Sequence, residues 1–347
     1  MSRWEKCRRW MKEKGLNALW LEEEIDIFYL TGMRFSMAKL CIGEKEAFLL
    51  VDGRYHAMAK EGASECEVLL YESGKTLPLF QKGEKRIGFD GATLPFARYE
   101  ALRKGYPEQE WVSFPGPMRS VRVCKEKGEL EALQRAADLT WQGYCMLVKE
   151  LREGVSEAEL AWSFERFCRE NGASGLAFSP IIAFGEKSAY PHHRASPENR
   201  LKKGDIVLID IGAVVDDYSG DMTRTLFFGE PNQQLLQLQE WVYEAYQIAF
   251  AAARPGMLAG ELDECVHSYF REKGVDPLFC HGLGHGIGLE VHEYPRLRYN
   301  GADRDCPLLC DMVFTIEPGL YLPGVGGIRY ENTVVLTQEG AKSLYPK

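Results

Sequence analysis

The feature of this sequence that most constrains its fold is an acidic residue at the end of a strand that has no polar face. Residues 206–209 read Ile-Val-Leu-Ile, and such a continuous apolar run predicts a strand buried on both sides. Asp210 follows directly. An ionised carboxylate is costly to bury unless a cation accompanies it. The fold therefore has to place a positive partner beside Asp210.

A second acid follows across a short turn. Asp221 lies eleven residues after Asp210, beyond the turn-forming residues 216–220. Two adjacent antiparallel strands joined across this turn would bring the two carboxylates side by side. Because like charges facing each other in a sheet repel, this arrangement again calls for a cation between them.

Three more candidate metal ligands lie toward the C-terminus. Glu317 and Glu331 each adjoin an apolar strand segment, and His285 lies in the glycine-rich stretch 281–293. Taken singly, such residues are usually turn caps or core histidines, but five of them would need five separate explanations. Four carboxylates, with a total charge of −4, and one neutral imidazole balance two divalent cations. A donor set without thiolate favours Mn²⁺ or Co²⁺, with Fe²⁺ and Zn²⁺ as alternatives.

The pattern of predicted helices and strands changes at residues 114–117. This sequence, Phe-Pro-Gly-Pro, is rich in turn-forming residues, and we place a domain boundary there. Residues 1–116 alternate strands with helices, which predicts a small α/β domain with a mixed sheet. The predicted strands of this domain are 17–21, 25–30, 39–42, 47–51, 68–71, 86–89 and 111–114.

Residues 117–347 predict an α+β domain in which helices pack on one face of a curved, mainly antiparallel sheet. Ser156 and Glu159 form a capping box that opens a helix, which Gly172 ends. The other predicted helices are 125–151, 232–253 and 259–273, and the predicted strands are 206–212, 223–228, 312–316 and 333–336.

Composition excludes several classes of protein. The 347 residues carry a net charge of −9, which argues against a dedicated nucleic-acid binder. No apolar run is long enough to cross a bilayer, and the charged N-terminus lacks a signal peptide, so we expect a cytosolic protein without a membrane partner. The 10 cysteines are scattered, and runs such as Phe279-Cys280 predict buried, reduced thiols.

In order and spacing, these residues resemble the signatures of the pita-bread-fold metallopeptidases, the group of prolidase, aminopeptidase P and methionine aminopeptidase. The matching segments are Asp210-Ile211-Gly212, Asp221-Met222-Thr223-Arg224-Thr225, Gly284-His285-Gly286-Ile287-Gly288-Leu289 with His292-Glu293, Thr315-Ile316-Glu317-Pro318-Gly319 and Arg329-Tyr330-Glu331. The N-terminal half, with Tyr29-Leu30-Thr31-Gly32, resembles the smaller domain of prolidase and aminopeptidase P. The resemblance implies a C-terminal pita-bread domain and an Xaa-Pro peptidase, usually homodimeric.

The resemblance also implies a ligand set for two metal ions. Its members are Asp210, Asp221, His285, Glu317 and Glu331, with Asp221 and Glu331 bridging the ions. Three positions depart from the family pattern without removing a ligand: Gly220 stands where serine is common, Asp311 where glycine is frequent, and Asn332 where aspartate is common.

The remaining roles follow from general mechanism and from the same resemblance. Glu317 is the candidate to accept a proton from the nucleophilic water and pass it to the proline nitrogen. His192 and His292 are expected to line the substrate pocket and hydrogen-bond the developing oxyanion. Arg329, two residues before a bridging ligand, is expected to hold a carboxylate. His193 and His281 fit the family pattern less well and remain supporting residues.

Arg296 bears on which branch of the family applies. It occupies a position where similar prolidases bind the proline carboxylate, which would favour free dipeptides over longer chains. An arginine in a surface loop is the structural alternative. We therefore expect an Xaa-Pro dipeptidase, with an Xaa-Pro aminopeptidase acting on longer peptides as the close alternative. A creatinase-like hydrolase or a non-catalytic binding module is disfavoured, because such relatives lose metal ligands and all five are present here.

Overall fold

The computed structural model describes residues 1–71, 80 and 85–346. The chain divides into two compact units, Met1–Arg122 and Val123–Lys347. The sequence-based boundary after residue 116 stays a prediction. Within the described ranges, no helix combines the length and the apolar content needed to cross a membrane.

The first unit contains a six-stranded mixed sheet, as its alternating pattern predicts. The strands are β1 (Ala18–Leu21), β2 (Ala38–Gly43), β3 (Ala47–Val51), β4 (Glu67–Leu70), β5 (Arg86–Asp90) and β6 (Glu110–Phe114), and the helices are α1 (Arg3–Glu13), α2 (Glu24–Thr31), α3 (His56–Gly62), α4 (Phe96–Gly105) and α5 (Arg119–Arg122). The order in the sheet is β4-β3-β2-β1-β5-β6. Strand β1 runs antiparallel to β2 and parallel to β5, so the mixed sheet is confirmed.

One predicted strand of this unit is wrong, because residues 25–30 form helix α2. The run is short and apolar, and such a run does not distinguish a buried strand from a buried helix by periodicity alone. Gly32 ends the helix in the left-handed conformation, with φ of 70°, and donates its N–H to the carbonyl of Phe28. Asp26, on the buried side of the helix, forms a 2.8 Å ion pair with Arg122.

The second unit is built from two helix pairs and short antiparallel strands. The helices are α6 (Lys127–Glu150), α7 (Glu157–Glu170), α8 (Gln233–Ala252) and α9 (Ala259–Glu272). The strands are β7 (Gly175–Leu176), β8 (Ile181–Phe184), β9 (Asp205–Ile211), β10 (Ala213–Val215), β11 (Tyr218–Ser219), β12 (Met222–Phe228), β13 (Gly284–Gly286), β14 (Glu293–Leu297), β15 (Val313–Ile316), β16 (Gly319–Leu322), β17 (Gly326–Arg329), β18 (Asn332–Thr337) and β19 (Gly340–Ser343).

The strands of the second unit pair antiparallel but do not form the one continuous sheet that the sequence predicts. They divide into the sheets β12-β9-β8, β11-β10-β7, β14-β13-β15-β18-β19 and β16-β17. The hairpin β10–β11 separates β9 from β12 along the chain. Its turn residues Asp216 and Asp217 have φ of 50° and 68°, the positive values that a two-residue type I′ turn requires.

The helices form where their boundary residues predict them. Ser156 accepts the N–H of Glu159 while the Glu159 side chain accepts the N–H of Ser156, which confirms the capping box of α7. Asn232 caps α8 through its side-chain oxygen. Helices α8 and α9 bury their apolar faces in the core shared with strands β14 to β18. This core supports the strands that carry the predicted ligands.

The cysteines follow the sequence-based expectation only in part, since four of the ten are buried, five are partly buried and one is exposed. Cys7, Cys41, Cys168 and Cys306 are buried, and every cysteine is a free thiol. Cys280 is exposed, so its expected burial is wrong. It stands between Phe279, which is buried, and His281, which lines a cavity, and one apolar neighbour did not determine which way its side chain faces.

Candidate metal centre

Two of the predicted ligands come from the strand pair β9–β12. Asp210 lies opposite Thr223 in the register of this pair, and Asp221 precedes Thr223 by two residues. Because side chains alternate along a strand, Asp221, Thr223 and Asp210 share one face of the pair. The two carboxylates are therefore diagonal neighbours, one pair removed from the directly opposed position.

The other three predicted ligands come from the central strands of the five-stranded sheet. His285 lies on β13, which pairs with β15. Strand β15 pairs with β18 so that Ile316 faces Asn332, and continuing this register brings Glu317 opposite Glu331. Three neighbouring strands thus bring together residues separated in the sequence.

Hydrogen bonds join the two sheets at the site. The N–H of Glu331 donates to the carbonyl of Thr223 at 3.2 Å, and the hydroxyl of Thr333 donates to the carbonyl of Asp221 at 2.9 Å. The hydroxyl of Thr223 also donates to the Glu331 carboxylate at 2.6 Å. These contacts hold the ligand-bearing ends of both strand pairs against one another.

Asp221, His285 and Glu331 form the tightest group of candidate ligands. One donor atom from each lies within 4.8 Å of the other two, and all three residues are buried. Donor atoms that share one ion are typically about 3–4 Å apart, because each lies about 2.1 Å from it. Asp210 and Glu317 lie outside this tight triplet but line the same cavity.

The imidazole of His285 is oriented as a ligand. Its Nδ1–H donates to the carbonyl of Gly286 at 3.1 Å, which leaves the lone pair of Nε2 facing inward. Nε2 lies 3.6 Å from Asp221 Oδ2 and 3.4 Å from Glu317 Oε1. Burial lowers the pKa of His285 to about 3, so the ring is neutral. A lone pair facing two carboxylates is stabilised by a cation between them.

Arg329 holds Asp210 through a buried ion pair, which confirms the role predicted for this arginine. Its Nη2 donates to Asp210 Oδ2 at 2.5 Å, while Nε donates to the hydroxyl of Thr223 and Nη1 donates to that of Tyr321. Tyr321 in turn donates to Nε2 of His281 at 2.9 Å, since His281 Nδ1 donates to its neighbouring carbonyl.

The charges of the site do not balance without further cations. Burial raises the pKa of Asp221 and of Glu317 well above the ordinary carboxyl range, and neighbouring carboxylates raise both further. Burial and the charge of Asp210 raise the pKa of Glu331 to about 8. Arg329 is the one arginine or lysine that the described structure pairs with these four carboxyls. Four buried carboxyls with one guanidinium are short of positive charge.

The donor atoms fit divalent cations. Asp210 Oδ1 is buried and has no hydrogen-bond partner among the described residues, whereas Oδ2 is taken by Arg329. Such an orphaned oxygen is a candidate metal ligand. Carboxylate oxygens with one imidazole suit hard or borderline ions. The residues present therefore fit a divalent metal centre.

The predicted substrate-binding residues lie at the same place. A cavity of about 500 Å³ is lined by all five candidate ligands together with His192, His292 and Arg296. The ring of His292 packs edge-on against His285, with centroids 4.4 Å apart. The backbone N–H of Arg296 donates to the Asp303 carboxylate at 2.9 Å, and Arg296 lines the cavity. The structure brings together every site residue that the sequence predicts.

Comparison with known proteins agrees with this geometry. Residues 131–338 match metallopeptidase family M24, and residues 3–124 match the creatinase/prolidase N-terminal domain. The chain belongs to metallopeptidase family M24. It is a pita-bread metal-dependent peptidase with a smaller N-terminal α/β domain.

Individual relatives are similar over almost their whole length. The chain is 35% identical over 344 residues to the Xaa-Pro dipeptidase of Pyrococcus furiosus, covering 99% of this chain and 97% of that one. The structure of an Xaa-Pro dipeptidase from Bacillus anthracis aligns with a TM-score of 0.91 at 30% identity, over 99% and 97% of the two chains. That of an X-Pro aminopeptidase from Thermotoga maritima aligns with a TM-score of 0.89 at 31% identity, over 100% and 98%.

Three residues of this M24 site were missed by sequence analysis. Thr223 bonds both Glu331 and Arg329, and Thr315 donates to Glu317 at 3.3 Å while accepting the N–H of His285. Tyr321 bridges Arg329 and His281. The two threonines could have been recognised from the sequence, since each lies two residues from a candidate ligand along a strand and so shares its face. No sequence pattern marks Tyr321 as part of the site.

Two departures from the family pattern have a structural reason. A Cβ added at Gly220 would lie 2.5 Å from the Thr140 hydroxyl, so the close approach of α6 excludes a larger residue there. Asn332 uses both ends of its amide: its oxygen accepts from Arg224, and its nitrogen donates to the hydroxyl of Tyr246. A carboxylate at position 332 could only accept.

Proposed function

We propose that this family M24 metallopeptidase is an Xaa-Pro dipeptidase. The observation that carries the proposal is the single cavity in which the buried carboxyl cluster adjoins His192, His292 and Arg296. A dipeptide carries a free carboxylate close to the scissile bond, and an arginine beside the metal ligands is suited to bind it. The similarity to proteins named Xaa-Pro dipeptidase supports the same substrate class.

For the metal centre, we propose two divalent ions held by the four carboxylates and His285. Asp221 and Glu331 are the proposed bridging ligands, because they belong to the tightest donor group and flank the junction of the two sheets. Mn²⁺ or Co²⁺ suits this oxygen-rich set, with zinc and iron as alternatives. We further propose that the protein is a homodimer and that it is located in the cytosol.

The ions would make hydroxide available near neutral pH by acidifying a bound water. The side chains supply the remaining functions. Glu317 holds a proton taken from water and delivers it to the proline nitrogen as the peptide bond breaks. Burial lowers the pKa of His292, so this ring is neutral and offers an N–H to the carbonyl oxygen. His192 lines the same cavity and is the second proposed donor to that oxygen. Arg296 orients the substrate through its carboxylate.

The substrate preference is tested with a matched pair, Ala-Pro and Ala-Pro-Ala, supplied with Mn²⁺ or Co²⁺. A dipeptidase cleaves Ala-Pro much faster, and Arg296→Ala abolishes that preference by raising the KM for Ala-Pro. Arg298→Ala is the matched control, since Arg298 lines the same cavity two residues away. Equal or faster cleavage of Ala-Pro-Ala, insensitive to Arg296→Ala, would identify an aminopeptidase. Cleavage of neither peptide would overturn the proposed peptidase specificity.

The proposed ligands are tested by substitution of a bridging carboxylate. Asp221→Ala or Glu331→Ala is expected to abolish hydrolysis and to lower the bound metal per chain, measured by elemental analysis. Glu129→Gln, a buried acid that accepts from Tyr218 outside the cavity, serves as the control. Full activity in either alanine variant would contradict the two-metal assignment.

A further inference from the structure

Glu157 is a fully buried acid that the proposed chemistry does not use. It is the first residue of α7 and has no solvent exposure. It stands at the start of the helix that the Ser156 capping box opens. A buried carboxylate is expected to have several hydrogen-bond partners, and the partners of Glu157 lead directly to the substrate cavity.

Four donors surround the Glu157 carboxylate. Oε1 accepts the N–H of Phe184 at 2.8 Å and the side-chain amide of Asn199 at 2.6 Å. Oε2 accepts the N–H of Ser196 at 3.0 Å and contacts Nε2 of His193 at 2.8 Å. Three of these four groups belong to one segment, residues 193–199, which therefore converges on a single side chain.

The backbone of α7 adds two more bonds to the same segment. The N–H of Glu157 donates to the carbonyl of Asn199, and the N–H of Ala158 donates to that of Ser196. These are first-turn N–H groups, which have no partner inside their own helix. The carbonyls of the segment thus accept the free N–H groups at the start of the helix, and the Glu157 carboxylate accepts hydrogen bonds from the segment.

This junction determines how the segment presents its histidines. The carboxylate already accepts from two backbone N–H groups and one amide, so His193 is placed to donate to it through Nε2–H. His193 is 14% exposed and lines the substrate cavity next to His192. The ring of His193, the neighbour of His192 in the chain, is therefore held by a carboxylate that itself does not line the cavity.

We propose that Glu157 is a positioning residue of the peptidase site. It holds residues 193–199 against the start of α7, sets the tautomer of His193, and thereby places His192 and His193 in the wall of the substrate cavity. The inference rests on the proposed function, because it concerns the site in which the Xaa-Pro dipeptide binds. Glu157 is not among the residues that line the cavity and acts through the segment it holds.

The test is Glu157→Gln, which keeps the shape of the side chain but offers one acceptor oxygen and one donor NH₂. Whichever carboxylate oxygen the NH₂ replaces, it faces two hydrogen-bond donors, so two of the four hydrogen bonds to residue 157 are lost. We expect kcat/KM for Ala-Pro to fall by about tenfold to 100-fold, at unchanged bound metal per chain, because a displaced contact group costs up to about that much. Glu129→Gln is the control for loss of a buried charge outside the cavity.

A second readout separates positioning from general stability. Correlation of histidine ring ¹⁵N and ¹H resonances reports the His193 tautomer, with His193→Gln identifying the signal. The Nε2–H form is expected in the wild type, and its signal shifts or is lost in Glu157→Gln but not in Glu129→Gln. If Glu157→Gln does not accumulate folded, Glu157→Asp, which keeps the charge at reduced reach, is measured in the same way.

The outcomes distinguish this inference from the proposed function. Wild-type kinetic constants and an unchanged His193 signal in Glu157→Gln would overturn the positioning role while leaving the dipeptidase proposal intact. Equal losses in Glu157→Gln and Glu129→Gln would overturn it as well, since both would then reflect stability. If the wild type does not cleave Ala-Pro, the proposed function fails, and the His193 tautomer alone decides whether Glu157 sets the ring.

Discussion

Asp311 has a backbone conformation that is unfavourable for a residue with a side chain. It has a φ of 66°, in the left-handed region that glycine adopts freely and other residues adopt at a cost. Its carbonyl accepts the N–H of Lys125, and its own N–H donates to Leu336, so the conformation is held from both sides. Glycine would adopt this backbone conformation without the same cost.

Asp311→Gly is therefore expected to stabilise the protein. Relief of the left-handed strain, less the greater freedom of glycine in the unfolded chain, amounts to about 0.5–1 kcal/mol. The measurement is the thermal midpoint of the second unit. Asp138→Gly, in the middle of α6, is the control and should lower that midpoint. A lower midpoint for Asp311→Gly would contradict the strain argument.

At the scale of elements, a buried ion pair fixes the strand that follows His292. Lys125 lies just before α6, and its Nζ contacts the Glu293 carboxylate of β14 at 2.6 Å. The two side chains are 2% and 4% exposed. Glu293 also accepts the N–H of Glu290, so the pair holds the turn that leads to His292. Loss of one partner leaves a buried charge without its counter-ion.

Lys125→Met is expected to destabilise the second unit by about 3–5 kcal/mol, because it leaves the buried Glu293 without this cation. Lys127→Met is the matched control, since the Lys127 side chain is 92% exposed and its loss should change stability little. Urea unfolding followed by circular dichroism gives both values. A double variant, Lys125→Met with Glu293→Gln, should recover part of the loss, and no recovery would argue against the pair as its cause.

At the scale of the whole molecule, the candidate metal centre joins two sheets whose facing carboxyls lack counter-charge. Burial raises the pKa of Glu331 to about 8, so without metal this carboxyl holds a proton at neutral pH. A cation that binds there has to displace that proton. Metal affinity should therefore fall as the pH is lowered, and metal binding should release protons.

Removal of metal by chelation is thus expected to abolish hydrolysis and to lower the thermal midpoint. Metal present at 100 times its Kd stabilises the folded state by about 2.7 kcal/mol. Titration of the chelated protein with Mn²⁺ in two buffers of different ionisation enthalpy measures the protons released. An unchanged midpoint after chelation, with metal loss verified by elemental analysis, would show that the carboxyl cluster is not the metal site.

The thiols give an independent measure of the fold. Burial raises the pKa of Cys7 and of Cys168 to about 12, so neither is expected to react as a thiolate near pH 8. Cys280 is exposed and should be alkylated before them. Mass spectrometry of a time course with iodoacetamide tests the order, and Cys280→Ser should remove the fastest phase. Early labelling of Cys7 in the absence of denaturant would contradict its burial.

The sequence alone predicts the candidate donors and several of the strands near them. An apolar run that ends in a carboxylate is a local pattern, so Asp210 and Glu317 could be recognised from a few neighbouring residues. Helix ends were recognised for the same reason, because a capping box such as that of Ser156 satisfies backbone groups within one turn.

Contacts between residues that are distant in the chain could not be predicted from the sequence, because tertiary packing brings them together. Residues 25–30 form helix α2. Their short apolar run is compatible with a strand or a helix, and tertiary packing favours the helix. Glu157 meets His193 across 36 positions, and Lys125 meets Glu293 across 168. Each of these contacts forms only after the strands and helices have packed. Local pattern therefore predicts candidate residues for the chemistry, whereas packing determines what holds them in place.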